Sequence, residues 1–167
     1  KHFLKTLLLT ASLVFTSLGI SFAEPKKGGT LIAAVGNSPR HLNPAVQSGI
    51  VTGFPGAQLF ATPIRYDNNW EPQPYLAESW KISDGGKTVR LNLVKDAVFH
   101  DGVPIKSSDV KFSLETIKKN HPFKTMFAPV VSVETPDEHT AILKLSSPHP
   151  ALMLAMSSQL MAIIPEH

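Results

Sequence analysis

The stretch Leu76–Val110 constrains this chain more than any other. Val89, Leu91 and Leu93 alternate with Arg90 and Asn92, the period-two pattern of a strand with one face buried. Asp84-Gly85-Gly86 predicts a tight turn before it, because glycine reaches positive φ without a steric penalty. Val98-Phe99 reads as a second short strand, closed by Asp101-Gly102. Ser107-Ser108-Asp109 follows Pro104. A serine there suits a helix N-cap, and Asp109 suits the positive end of the helix dipole. Val110, Leu114 and Ile117 continue at i, i+4 and i+7, one buried helical face over residues 108–119. These patterns predict a hairpin and a helix in a mixed α/β domain.

The order and wording of the same residues go further. Leu76-Ala77-Glu78-Ser79-Trp80 is followed by Asp84-Gly85-Gly86-Lys87-Thr88 and the strand Val89–Leu93. Then come Lys95, the tetrad Phe99-His100-Asp101-Gly102 and the helix start Asp109-Val110. This succession resembles the signature region of the family 5 extracytoplasmic solute-binding proteins, receptors of dipeptide, oligopeptide and nickel ABC importers. Val94 departs from the pattern, since the family usually carries arginine there. A fainter resemblance runs from about Gly28 to the last residue.

The resemblance implies part of the larger lobe of a two-lobed, type II periplasmic binding protein of the cluster C kind. It implies capture of a peptide or similar small solute between two lobes and delivery to the permease subunits of an ABC importer. It implies a monomer with no cofactor, no metal and no bond chemistry. In the family a leucine-Asp/Asn-proline triplet precedes a loop facing the ligand cleft. Here the triplet is Leu42-Asn43-Pro44 and the loop is Gln47–Gly53, which nominates Ser48, Gly49, Ile50 and Val51 as ligand-binding residues. Family members are several hundred residues long, so the chain is expected to be the N-terminal part of such a domain, truncated after His167.

Residues 1–23 carry the three parts of a secretory signal peptide. Lys1 and Lys5 form a basic start, Leu7–Ile20 an apolar run, and Ser21-Phe22-Ala23 a small-residue cleavage site. The run falls short of the ~20 apolar residues a membrane span needs. Residues 24–167 are then the mature, freely diffusing periplasmic portion. The net charge is +3, and cleavage would remove two of those positive charges with Lys1 and Lys5. The remaining bases are scattered, with Lys26-Lys27 and Lys118-Lys119 as short pairs, so no basic stripe predicts nucleic-acid binding. Cysteine is absent, which removes disulfides, thiolate metal sites, a cysteine nucleophile and the usual lipoprotein anchor point.

Elsewhere Thr30–Val35 predicts a buried strand, Ala57–Ala61 a short helix, Ile64–Tyr66 a strand and Asp67–Asn69 a turn. Trp70–Pro74 reads as extended. Val130–Val133 and Ala141–Leu145 predict a hairpin turning at Pro136-Asp137-Glu138. Ala151–Met161 is apolar nearly all round and predicts a buried helix. Trp70, Trp80 and Phe99 are expected in the core.

Two alternative chemistries have residues to carry them. Seven histidines are present, but no pair has the i, i+4 spacing of a helical zinc site, and His100 reads as a turn residue. Ser108-Asp109-Val110-Lys111 matches the serine-x-x-lysine pattern in which lysine eases deprotonation of a serine one turn away. Its usual companion motifs are absent, which makes a secreted serine hydrolase the second reading. An inactive truncated receptor is the third.

Overall fold

The computed structural model describes residues 28–167. The proposed signal peptide lies outside the described residues.

The centre is a four-stranded antiparallel sheet in the order β3-β4-β6-β5. Its strands are β3 (Ala77–Ser83), β4 (Thr88–Leu93), β5 (Val130–Asp137) and β6 (Thr140–Leu145). Register places Val89 opposite Leu143 and Leu91 opposite Ala141. The apolar alternates of two neighbouring strands therefore share one face, and all four residues are buried. Helix α2 (Ser107–Asn120) covers that face over β5 and β6. It contributes Val110, Leu114 and Ile117, each no more than 1% exposed. The short helix α3 (Ala151–Met156) adds Leu152, Ala155 and Met156 to the same core.

The turn Asp84–Gly86 forms as its composition predicts, with Gly85 at φ 63 and Gly86 at φ 88. The Val130–Leu145 hairpin also forms, though β5 continues through Pro136 and the chain reverses at Glu138-His139. Ile64–Tyr66 is a strand, β1, and it pairs with β2 (Pro72–Pro74) as a separate two-stranded ribbon.

Several expectations need correction. Residues 28–34 form neither helix nor strand, and Leu31 and Ile32 are 92% and 89% exposed. An apolar run becomes a buried strand only beside another strand's free hydrogen-bonding edge, and no described strand pairs with Thr30–Val35. Val98-Phe99 is reduced to one bridge, Val98 to Pro104, because the Asp101-Gly102 reversal leaves too few residues for a ladder. Neither Ser107 nor Ser108 caps α2, whose N-cap is Lys106. The Ser107 hydroxyl donates to the Asp137 carbonyl at 2.5 Å, while Asp109 Oδ2 accepts the Lys106 N–H at 2.7 Å and closes the helix start instead. The last helix stops at Met156, and Leu154 is 48% exposed. Ser157 and Ser158 turn their hydroxyls onto the carbonyls of Leu154 and Ala155 and end it.

The end of the chain straps α2. Ile164 N–H donates to Ser113 Oγ at 2.8 Å, and Glu166 N–H donates to Asp109 Oδ1 at 3.0 Å. Asp109, 4% exposed, thus serves both the helix start and the strap.

Candidate functional site

The segment nominated for ligand contact is more ordered than a loop. Helix α1 spans Ile50–Leu59, so Gln47–Gly53 is half loop and half helix, and the helix predicted at Ala57–Ala61 begins seven residues earlier. Pro55 and two glycines, Gly53 and Gly56, conceal this helix from propensity rules. They serve packing. A Cβ on Gly56 would lie 2.8 Å from Pro44 Cγ, and one on Gly53 would lie 3.0 Å from Gln159 Nε2. The helix thus seats its glycine side on Pro44 and Gln159. Pro44 is itself placed by the Leu42-Asn43-Pro44 triplet, where Asn43 Oδ1 accepts the Ala45 N–H at 2.9 Å.

Of the four nominated residues, Gly49 stands at the N-cap with φ 103, and Ile50 and Val51 form the first turn. No side chain caps the helix, and its first turn carries no acid. Ile50 is 69% exposed, Ser48 and Val51 are half-buried, and Phe54 one turn on is 43% exposed. Open amide donors at the positive end of a helix dipole suit a carboxylate or carbonyl oxygen, and Ile50 and Phe54 supply an apolar contact beside them. Phe54 is not among the nominated residues. Its i, i+4 spacing from Ile50 would have found it once the helix was known to start at residue 50.

The other candidates are scattered. His100 is exposed in its turn. No group of three or more potential metal ligands occurs among the described residues. Ser108 is half-buried and Lys111 exposed, and no hydrogen bond joins them among the described residues. Phe99 is buried and Trp80 packs half-buried against the core, but Trp70 is 74% exposed and so is not a core residue. It sits at φ 61 in a turn built by Asp67, whose Oδ1 accepts the N–H groups of Asn69 and Glu71 and whose Oδ2 accepts Gln73 Nε2. Those donors, led by the Glu71 N–H, hold the Asp67 carboxyl below its ordinary range. An apolar groove of about 400 Å³ runs past Tyr66, Ile82, Val89, Pro148 and Met153, and none of Ser48–Val51 lines it.

Comparison with known proteins identifies the class. Residues 71–167 match the family described as bacterial extracellular solute-binding proteins, family 5 Middle. The chain belongs to this family. It is 31% identical to a putative ABC transporter peptide-binding protein of Brucella ovis, over all of this chain and 32% of that protein. Among solved structures it resembles NikZ of Campylobacter jejuni in complex with Ni(L-His), at 32% identity and a TM-score of 0.70 over 78% of this chain and 26% of that one. It also resembles AgaA of A. tumefaciens in complex with agropinic acid, at 32% identity and a TM-score of 0.71 over 77% and 26%. The chain therefore spans about a third of the length of its curated relatives. It carries the mixed α/β fold of part of the larger lobe of a type II periplasmic binding protein. No helix among the described residues is long and apolar enough to cross a membrane.

Proposed function

We propose that the complete protein is the substrate-binding component of an ABC importer. It captures a peptide or similar small solute in the periplasm and delivers it to the membrane permease. The observation that carries this reading is the family membership together with a match along the whole chain to a putative ABC transporter peptide-binding protein. The proposed mechanism is hinge closure of two lobes around ligand, with the closed form recognised by the permease. Export would follow from residues 1–23, cleaved before Glu24, and the protein would act as a monomer.

In this reading Ser48, Gly49, Ile50 and Val51 meet the ligand, supported by the uncapped α1 N-terminus and the exposure of Ile50. The Ile50 and Val51 amides take an oxygen of the ligand, and Ile50 with Phe54 takes an apolar part. Affinity needs the opposing lobe. One hydrogen bond made in water nets about 1 kcal/mol, and ordering loop and ligand offsets much of it. Residues 24–167 alone are expected to bind no better than roughly millimolar, about −4 kcal/mol.

Calorimetry of the protein extended to its relatives' full length, against di- and oligopeptides, nickel-histidine and opines, tests the assignment. Micromolar binding of one class supports it. Failure to bind any of them overturns it. A micromolar signal from residues 24–167 alone would instead remove the two-lobed mechanism.

A further inference from the structure

Two histidines grip one turn with opposite hydrogen-bond polarity. The 3-10 turn Lys124–Phe127 joins α2 to β5 and carries Phe127, fully buried, into the core beside α2 and α3. At its entry the Phe123 N–H donates to His121 Nδ1 at 3.0 Å. That nitrogen must be unprotonated to accept. At its exit His149 Nε2 lies 3.0 Å from the Met126 carbonyl oxygen, so this nitrogen must carry the proton. His149 can donate whether its ring is neutral or charged. His121 can accept only when neutral.

We propose that acidification releases the His121 end of this turn while the His149 end holds, making residues 123–127 a pH-sensitive hinge against the core. Protonating His121 sets a ring N–H against the Phe123 N–H, and one hydrogen bond becomes a clash of two donors. His121 is 2% exposed, so a charge on its ring is poorly solvated, while Phe123 is 53% exposed and its displaced N–H can turn to solvent. The surrounding charges do not rescue it. Helix α2 carries Lys118 and Lys119 in its last turn, with Glu115 one turn earlier and Asp109 and Lys111 at its far end. The turn itself carries Lys124, α3 has no ionisable residue, β5 has Glu134 and Asp137, and β6 has Lys144. The Lys118 ammonium is spent on the Val130 carbonyl. Burial alone accounts for the fall of the His121 pKa below its ordinary 6.5, with no charged neighbour contributing. This device is independent of which solute the protein binds.

Amide hydrogen exchange of the full-length protein, read by mass spectrometry over peptides spanning 121–129, tests it. After correction for intrinsic rates, exchange in the turn is expected to be about tenfold or more faster at pH 5.0 than at pH 7.5. His121→Asn should abolish the difference, because its side-chain oxygen accepts the Phe123 N–H and takes up no proton. His149→Gln should retain it. Equal protection of the native turn at both pH values, or an undiminished pH response in His121→Asn, overturns the proposal. Should His121→Asn fail to fold, NMR titration of the native protein decides. A common midpoint below 6.5 for the His121 ring and the Phe123 amide supports the hinge, and unrelated midpoints overturn it.

Discussion

Helices α1 and α2, of 10 and 14 residues, use opposite designs. Helix α2 follows the rules of an amphipathic helix. It has a buried stripe of Val110, Leu114 and Ile117, an acid in the first turn, Lys118 and Lys119 in the last, and a proline just past the end. Helix α1 breaks them. It seats two glycines on its neighbours, holds Pro55 inside, and leaves Ile50 and Phe54 toward solvent. One helix spends its apolar surface on the core. The other withholds it. That contrast is what the ligand role proposed for α1 requires.

The contrast can be tested by single substitutions, beginning with the largest expected loss. Leu114→Ala removes a side chain 1% exposed and should cost roughly 2–5 kcal/mol in denaturant melts. A cost under about 1 kcal/mol would break the account of α2 as the core helix. Gly56→Ala forces a methyl against Pro44 and should cost about 1–3 kcal/mol. A neutral result would show that α1 is not seated as described. Gly102→Ala, at φ 87 with open space around it, should cost about 1 kcal/mol through backbone strain alone. Gly36→Ala, with no neighbour and no positive φ, should stay within about 0.5 kcal/mol. Ile50→Ser should likewise leave stability within about 0.5 kcal/mol yet weaken ligand binding by the complete protein about tenfold. A stability loss without an affinity loss would reverse the role given to α1.

Acid should act on the fold in two stages. The folded pKa of His121 lies below 6.5, so as pH falls past 6.5 the unfolded chain takes up a proton first and stability declines. The carboxyls of Asp67, Asp101 and Asp137 are held below 3.8, chiefly by the Glu71 N–H, by His167 and by the His139 N–H respectively. Their contribution is present above about pH 3.8 and lost as pH falls through the folded values. Thermal melts from pH 7.5 to 3 should show both declines. His121→Asn should remove the first and spare the second.

What the sequence could disclose tracks how local the cause was. Strand β4, the Asp84–Gly86 turn, the buried face of α2 and the β5–β6 hairpin all follow from spacing and turn chemistry within a few residues. Strand β3 shows no buried period of two because a bulge between Ala77 and Ser79 puts Ala77 out of step with Trp80, and Ile82 is 49% exposed. The start of α1 is hidden because its glycines are explained only by tertiary packing, Gly56 on Pro44 and Gly53 on the distant Gln159. The serine cap fails for the same reason, since the Ser107 hydroxyl is taken by the Asp137 carbonyl at the distant end of β5. The nominated residues Ser48–Val51 were located by family wording. Their backbone geometry was legible only in three dimensions.

The two tryptophans occupy contrasting surroundings, and this gives the protein a built-in optical readout. Trp70 stands at a strained, solvent-facing turn with its ring tilted 52° to that of Tyr66, while Trp80 lies half-buried on the sheet. Acrylamide should quench the red-shifted emission of Trp70 first and leave a bluer component from Trp80. In residues 24–167, Trp70→Phe would then leave Trp80 as the one tryptophan, with a colour that follows the sheet. Because Trp80 pairs with Leu91 across β3 and β4, that emission would report the integrity of the central four-stranded sheet.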